Sequence, residues 1–231
     1  MDLNEYATYI GEILAAGAII KAGYDKAVKE YRARYHSGLY NYIKDKNTYK
    51  KDIELMLQDY MDKLGADKVY LYNLKVNLKP RGVADYILEG VSMVTKKGVE
   101  NDLAVWEGRS LGDFNGLAVE LFKQEDNTLI LQPNDCNNCD TNCVLSKYCP
   151  ATEYDLFQRA LQAQGAYYQL TGVILEHSFF GRPLGIIGAD YLHEVSKETL
   201  AEKLVIFREL ANEIYYATVK KSNKRDKIWT K

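Results

Sequence analysis

Near the start of the chain, apolar residues recur every three or four positions. Ile10, Ile13, Leu14, Gly17, Ile20 and Tyr24 fall on one stripe of a helix predicted from Leu3 to Tyr35. Gly11, Gly17 and Gly23 each weaken such a helix by up to about 1 kcal/mol relative to Ala, so close contact with another helix would be their reason. His36-Ser37-Gly38 breaks the run. A second helix is predicted from about Thr48 to Leu64, with Ile53, Leu57, Tyr60, Met61 and Leu64 on its apolar side and Gly65 as its stop. The period then shortens to two. Lys68–Leu74 and Tyr86–Thr95 predict strands joined through Pro80-Arg81-Gly82, hence antiparallel neighbours.

Ser110–Lys123 predicts a loop followed by a short helix, and Thr128–Gln132 a third strand ended by Pro133-Asn134-Asp135. A cysteine-rich segment follows, then a helix over Thr152–Gln164 stopped by Gly165. Ala166–Glu176 and Pro183–Tyr191 predict the last two strands, linked by a hairpin-like His177–Arg182. Asp190 ends the fifth strand, and alternation assigns it to the side of Leu184, Ile186 and Gly188. Ser196 is the expected N-cap of a closing helix whose stripe is Leu200, Leu204, Phe207, Leu210, Ile214 and Tyr215. No internal repeat is visible. Antiparallel strands with helices at both margins predict an α+β fold: a central antiparallel sheet of five to six strands flanked by helices. Residues 1–45 form an N-terminal helical extension, 46–220 the α+β domain with the Cys-rich loop 136–149, and 221–231 a basic tail.

Composition narrows this without naming a function. The chain has 231 residues, 30 basic and 32 acidic side chains, and is 47% hydrophobic and 27% charged, as an ordinary globular protein is. Near-neutral charge gives no global reason to bind nucleic acid, and Lys220–Lys227 is better taken as a solvated tail. The acidic opening Met1-Asp2-Leu3-Asn4-Glu5 is unlike an export signal, so a reducing cytoplasm is expected. The apolar run Ile13–Ile20 is too short for a bilayer, which takes roughly 20 residues. It suits packing on a partner protein or a second copy. Nineteen Tyr residues supply large rings with polar tips, suited to grooves and interfaces.

All four cysteines fall within fourteen residues, as C-x2-C-x3-C-x5-C at Cys136, Cys139, Cys143 and Cys149. Zinc takes four thiolates at tetrahedral corners about 2.3 Å away, and C-x2-C aims two sulfurs at one point. An iron–sulfur cluster is the alternative, a loose match because the gaps exceed those of the bacterial ferredoxin run. Unligated reactive thiols are a third reading. A closed four-Cys zinc site could not itself activate water. His36, His177 and His193 are scattered; His177 and His193 flank the last hairpin and could approach each other. Asp190 would either reach a pocket or cap a turn, and Arg109 could meet an anionic ligand at a pocket rim. Gly108-Arg109-Ser110-Leu111-Gly112 lacks the spacing and the Lys of a phosphate loop.

The stretch Leu161–Ala217 resembles the second half of a GAF domain, a relative of the PAS sensor fold. The resemblance is carried by Gln164-Gly165-Ala166, a strand, and then Gly181-Arg182-Pro183-Leu184-Gly185-Ile186-Ile187-Gly188-Ala189-Asp190 before a long helix. The helix end Leu64-Gly65-Ala66-Asp67 followed by the strand Lys68-Val69-Tyr70-Leu71 is similar to GAF starts. What the resemblance implies is a pocket on one sheet face, roofed here by residues from about 100 to 160, for a small-molecule ligand or metal centre that the fold does not name. Arg109 and Asp190 are then pocket candidates. Three functions follow: a sensory or regulatory module with a metal-binding Cys loop; an assembly or interaction protein on a zinc-stapled scaffold; and a thiol-dependent enzyme like the free methionine sulfoxide reductases, whose Cys cannot be aligned with these four.

Overall fold

The computed structural model describes residues 38–43, 45–78, 84–114, 127–131, 165–176 and 182–220, with Lys21, Gly23 and Leu121. The chain divides into two units, Met1–His36 and Ser37–Lys231. Lys21 and Gly23 are helical. The rest of the predicted N-terminal helix, the Cys segment, the helix over 152–164 and the basic tail lie outside the described residues.

Helix α1 spans Lys46–Leu64 and is capped at both ends. The Asp45 carboxylate accepts from the Asn47 N–H at 2.9 Å and the Thr48 N–H at 3.3 Å, satisfying two of the donors every helix leaves unpaired at its start. Gly65 ends it at φ 70°, a left-handed cap that donates to the Met61 and Asp62 carbonyls. The helix therefore begins a little before the apolar stripe does. Five strands follow: β1 (Lys68–Leu78), β2 (Ala84–Thr95), β3 (Thr128–Leu131), β4 (Tyr168–Leu175) and β5 (Pro183–Tyr191). They form one antiparallel sheet in the order β2-β1-β5-β4-β3, with the first and last strands side by side at its centre. Helix α2, Lys197–Tyr215, starts on Ser196, whose Oγ accepts from the Thr199 N–H, and runs on into a π-helical turn at Tyr216–Lys220. Its buried residues are the predicted stripe Leu200, Leu204, Phe207, Leu210, Ile214 and Tyr215.

Strand alternation splits the core in two. Val69 and Leu71 of β1, Leu170 and Ile174 of β4, and Ile187 and Ala189 of β5 pack with α1 and α2. Tyr72, Leu74, Leu88, Leu129, Leu131, Val173 and Ile186 form a second cluster with Leu111 and Leu121. Each fully buried Leu or Ile contributes roughly 1.5–3 kcal/mol, so both faces stabilise the sheet. Two breaks in register matter. Ile174 pairs with Gly185 and Leu175 with Pro183, so Leu184 is skipped and turns into the helix-side core. It therefore does not share the face of Asp190, as simple alternation predicts. Val91 is skipped likewise opposite Leu71 and Tyr72, and is buried on the helix side.

A 3-10 turn, Gly38–Tyr42, enters where the β1–β5 pairing ends at Asn73 and Gly185. Gly38 sits at φ 48°, and a Cβ there would stand 2.3 Å from the Leu74 carbonyl oxygen and 2.4 Å from that of Leu184. Asn73 Oδ1 accepts from the Tyr40 N–H at 3.3 Å while its Nδ2 donates to Glu89 at 2.9 Å. On the β4–β5 side the Tyr42 hydroxyl donates to Glu176, and Arg182 Nη2 donates to that hydroxyl at 3.2 Å.

Candidate functional site

The sheet face away from α1 and α2 carries a graded floor. Lys68 on β1 stands opposite Asp190 on β5, which stands opposite Gln169 on β4. The next row is Tyr70, Gly188 and Thr171, and the third is Tyr72, Ile186 and Val173. Side chains opposite one another on one face lie about 4.5–5.5 Å apart at Cβ, so each row is a contact set. The floor thus runs from polar through mixed to apolar over three rows.

Hydrogen bonds tie the polar end together. Gln169 Nε2 donates to Asp190 Oδ1 at 2.8 Å and also contacts the Tyr70 hydroxyl, which donates to the same Oδ1 at 3.3 Å. Thr171 Oγ1 donates to Gln169 Oε1 at 2.9 Å, which orients the amide. Lys68 Nζ lies 3.0 Å from Asp102 Oδ2, and the two side chains are 5% and 13% exposed. Tyr72 donates to the Leu103 carbonyl at 2.9 Å, and its ring meets that of Tyr70 edge-on at 5.7 Å. Gly188 makes room for Tyr70: a Cβ there would be 2.2 Å from Tyr70 Cζ. Asp190 is only 3% exposed. Burial pushes its carboxyl up to about 6, with Asp102 adding to the rise, against the opposing pull of Gln169, Lys68 and Tyr70. Burial and the Asp190 charge likewise hold the Tyr70 hydroxyl well above the usual tyrosine range.

A second polar group lies at the adjoining end of β5. Asp67 accepts from Lys96 Nζ at 2.9 Å, from the Leu192 N–H at 2.7 Å and from His193 Nδ1 at 2.7 Å. Burial would raise its carboxyl, but these donors outweigh it and hold the group below its ordinary value. His193 thus pairs with Asp67, while His177 lies outside the described residues. Arg109 is in a turn beside β2, its guanidinium over the Trp106 ring at 5.6 Å and its Nε donating to the Val105 carbonyl at 3.3 Å. These interactions are within its own turn, whereas Asp190 is held by β1 and β4. Cys136, Cys139, Cys143 and Cys149 lie outside the described residues. Lys68, Tyr70, Gln169 and Thr171 were not singled out by sequence. Their signal was there: Lys68, Tyr70 and Tyr72 alternate with Val69 and Leu71, and Gln169 and Thr171 flank Leu170, marking one face.

No protein-family model matches the chain, and no curated protein matches it by sequence. Solved structures do match by backbone. A bacteriophytochrome from R. palustris superposes at TM-score 0.50 with 10% identity, over 76% of this chain and 35% of that one. A phycoerythrobilin-bound GAF domain from a cyanobacterial phytochrome matches at 0.47 and 14%, over 87% of this chain and 97% of that one. The PixJ GAF domain of Thermosynechococcus elongatus, in its blue-light absorbing form, matches at 0.48 and 8%, over 82% and 98%. The fold is GAF-like. At these identities the likeness is one of backbone and carries no site residue across. Among the described residues, no helix is long and apolar enough to cross a membrane.

Proposed function

We propose that this chain is a GAF-like sensory or regulatory module. It holds a small molecule on the sheet face away from α1 and α2, and those helices pass the occupied state on. The observation that carries this is the buried polar row Lys68–Asp190–Gln169. Burying polar and charged groups on a sheet face costs free energy that apolar residues would not. A ligand that meets those groups is the functional reason to keep them there. The strands that supply the row also bury Val69, Leu71, Leu170 and Ala189 against the helices, so a shift of the floor reaches both faces.

The metal loop belongs to the same proposal. Cys136, Cys139, Cys143 and Cys149 supply four thiolates for zinc, or for an iron–sulfur cluster, in the segment joining β3 to β4. Protein purified anaerobically tests both halves. Elemental analysis should return about one zinc per chain with no visible band, and iron with a broad band would move the loop to a cluster. No metal with four titratable thiols overturns the metal half. Native mass spectrometry should show a co-purifying small molecule. The sensory reading fails if none is present and no member of a metabolite library raises the melting temperature. The absorption spectrum also tests for a bilin of the kind the phycoerythrobilin-bound neighbour holds.

A further inference from the structure

Residues 99–107 lie between left-handed turns at Gly98 (φ 87°) and Gly108 (φ 79°) and pass over the polar end of the sheet face. None of them is buried. Backbone bonds from the Val105 N–H to the Asp102 carbonyl at 2.9 Å, and from the Glu107 N–H to the Ala104 carbonyl at 3.3 Å, close within the segment. Side chains fasten it to the sheet. Lys68 Nζ reaches Asp102 Oδ2 at 3.0 Å, the Tyr72 hydroxyl donates to the Leu103 carbonyl at 2.9 Å, and Asn101 Nδ2 donates to the Met93 carbonyl at 3.3 Å. Leu103 is seated on Gly90, where a Cβ would stand 3.0 Å from its Cγ. On the sheet side of these contacts, Lys68, Asp190 and Gln169 are buried. Lys68 serves both partners: it pairs with Asp102, and it pulls the Asp190 carboxyl down against a rise led by burial, to which Asp102 adds.

Closing this segment thus gathers two carboxylates around one ammonium, away from water. A buried ion pair repays its desolvation only in part, and a segment with no buried residue adds little apolar area to hold it down. Opening returns the Lys68 and Asp102 charges to water and leaves the strand order β2-β1-β5-β4-β3 as it is. We propose that residues 99–107 are a lid that opens while the sheet stays folded, latched by the Lys68–Asp102 pair and the Leu103 seat, and that its opening admits a small molecule to the Lys68–Asp190–Gln169 row. The admission rests on the ligand-binding function given above; the opening does not. With the lid open, Lys68 keeps Asp190 opposite it on the neighbouring strand, so the row stays assembled while its ammonium becomes reachable.

Access to the Lys68 amine reads the lid directly. The full chain is acetylated with sulfo-N-hydroxysuccinimide acetate, and the rate at Lys68 is followed by peptide mass spectrometry, with the exposed Lys63 as reference. In the folded wild type Lys68 should react more slowly than Lys63, at a rate that low urea leaves unchanged. Exchange of the Ile187 amide in the centre of the sheet, followed by NMR, should instead accelerate with urea, because it requires the strands to part. Leu103→Ala removes the seat and keeps the ion pair. It should raise the Lys68 rate at least tenfold while the Lys63 rate and Ile187 exchange change less than threefold. Should Leu103→Ala not fold, Asp102→Asn should give the same pattern. A Lys68 rate that climbs with urea in step with Ile187 exchange, a Lys68 that does not react in the folded protein, or a rate indifferent to the loss of the seat or latch overturns the lid. No ligand is used, so that result leaves the ligand-binding function to its own test by native mass spectrometry.

Discussion

Two buried carboxylates, Asp190 and Asp67, are pushed in opposite directions by their surroundings. Asp190 is raised to about 6 by burial, so the folded state binds its proton more tightly than the unfolded chain does. Its stabilising contribution is complete below about pH 4 and is lost as pH rises through about 6. Across that window the loss approaches about 3 kcal/mol, at 1.36 kcal/mol for each pH unit between an ordinary carboxyl and about 6. The melting temperature of the wild type should therefore carry a falling component between pH 4 and 7.5 that Asp190→Asn lacks, and the variant should be the more stable protein at pH 7.5. A wild-type-to-variant difference that stays constant with pH would show that the carboxyl is not desolvated. Asp67 has the reverse sign, held low by Lys96, the Leu192 N–H and His193 against its burial. Asp67→Ala strands the Leu192 donor and should cost about 1–3 kcal/mol in urea unfolding at pH 7. That cost should shrink as pH falls below the ordinary carboxyl value of about 4 toward the lowered value of the folded state, where the wild type loses the same contribution.

At the scale of elements, the sheet floor depends on a single close approach. The Tyr70 ring occupies the space that a side chain at position 188 would fill. Gly188→Ala must displace that ring, and overpacking of this kind costs typically about 1–3 kcal/mol. The displaced ring should also lose its hydroxyl contacts to Gln169 and Asp190. In a Tyr70→Ala background the same change should cost far less, and a double-mutant cycle in chemical denaturation measures the coupling. Additive effects would mean that ring and strand are not in contact. The helices were the most legible elements, because caps and stripe are local. Ser196 and the stripe from Leu200 to Tyr215 stand where periodicity puts them. Asp45 was missed as a cap because the apolar stripe begins at Tyr49, after the first turn of α1.

For the whole unit Ser37–Lys231, the chain enters the sheet through the Gly38–Tyr42 turn, seated at the point where β1 and β5 stop pairing. Leu39 and Tyr40 are buried there, and Asn73, Glu176 and Arg182 fasten the turn from both sides. Gly38→Ala adds left-handed strain of about 1–2 kcal/mol. It also puts a methyl against two backbone carbonyl oxygens that cannot move without parting the strands. Gly65→Ala has the same backbone strain with nothing within 4 Å. The Gly38 variant should therefore unfold at clearly lower urea than the Gly65 variant, and equal midpoints would refute the seat.

The sequence by itself determined the described helices α1 and α2, the five strands and the fold class, since periods of 3.6 and 2, Gly stops and N-caps act over a few residues. It also placed Asp190 on the face of Ile186 and Gly188, because alternation is local. The pairing of one hairpin with the other, and the place of β3 at the edge, were decided only by the tertiary structure. Nothing in the spacing says that β1 lies against β5, and that neighbourhood is what sets Lys68, Asp190 and Gln169 in one row. The bulge that turns Leu184 to the helix side is likewise invisible to alternation, because it arises from a register break with β4. Residues that are polar and scattered in sequence come together as one buried row only when three strands place them side by side, away from water.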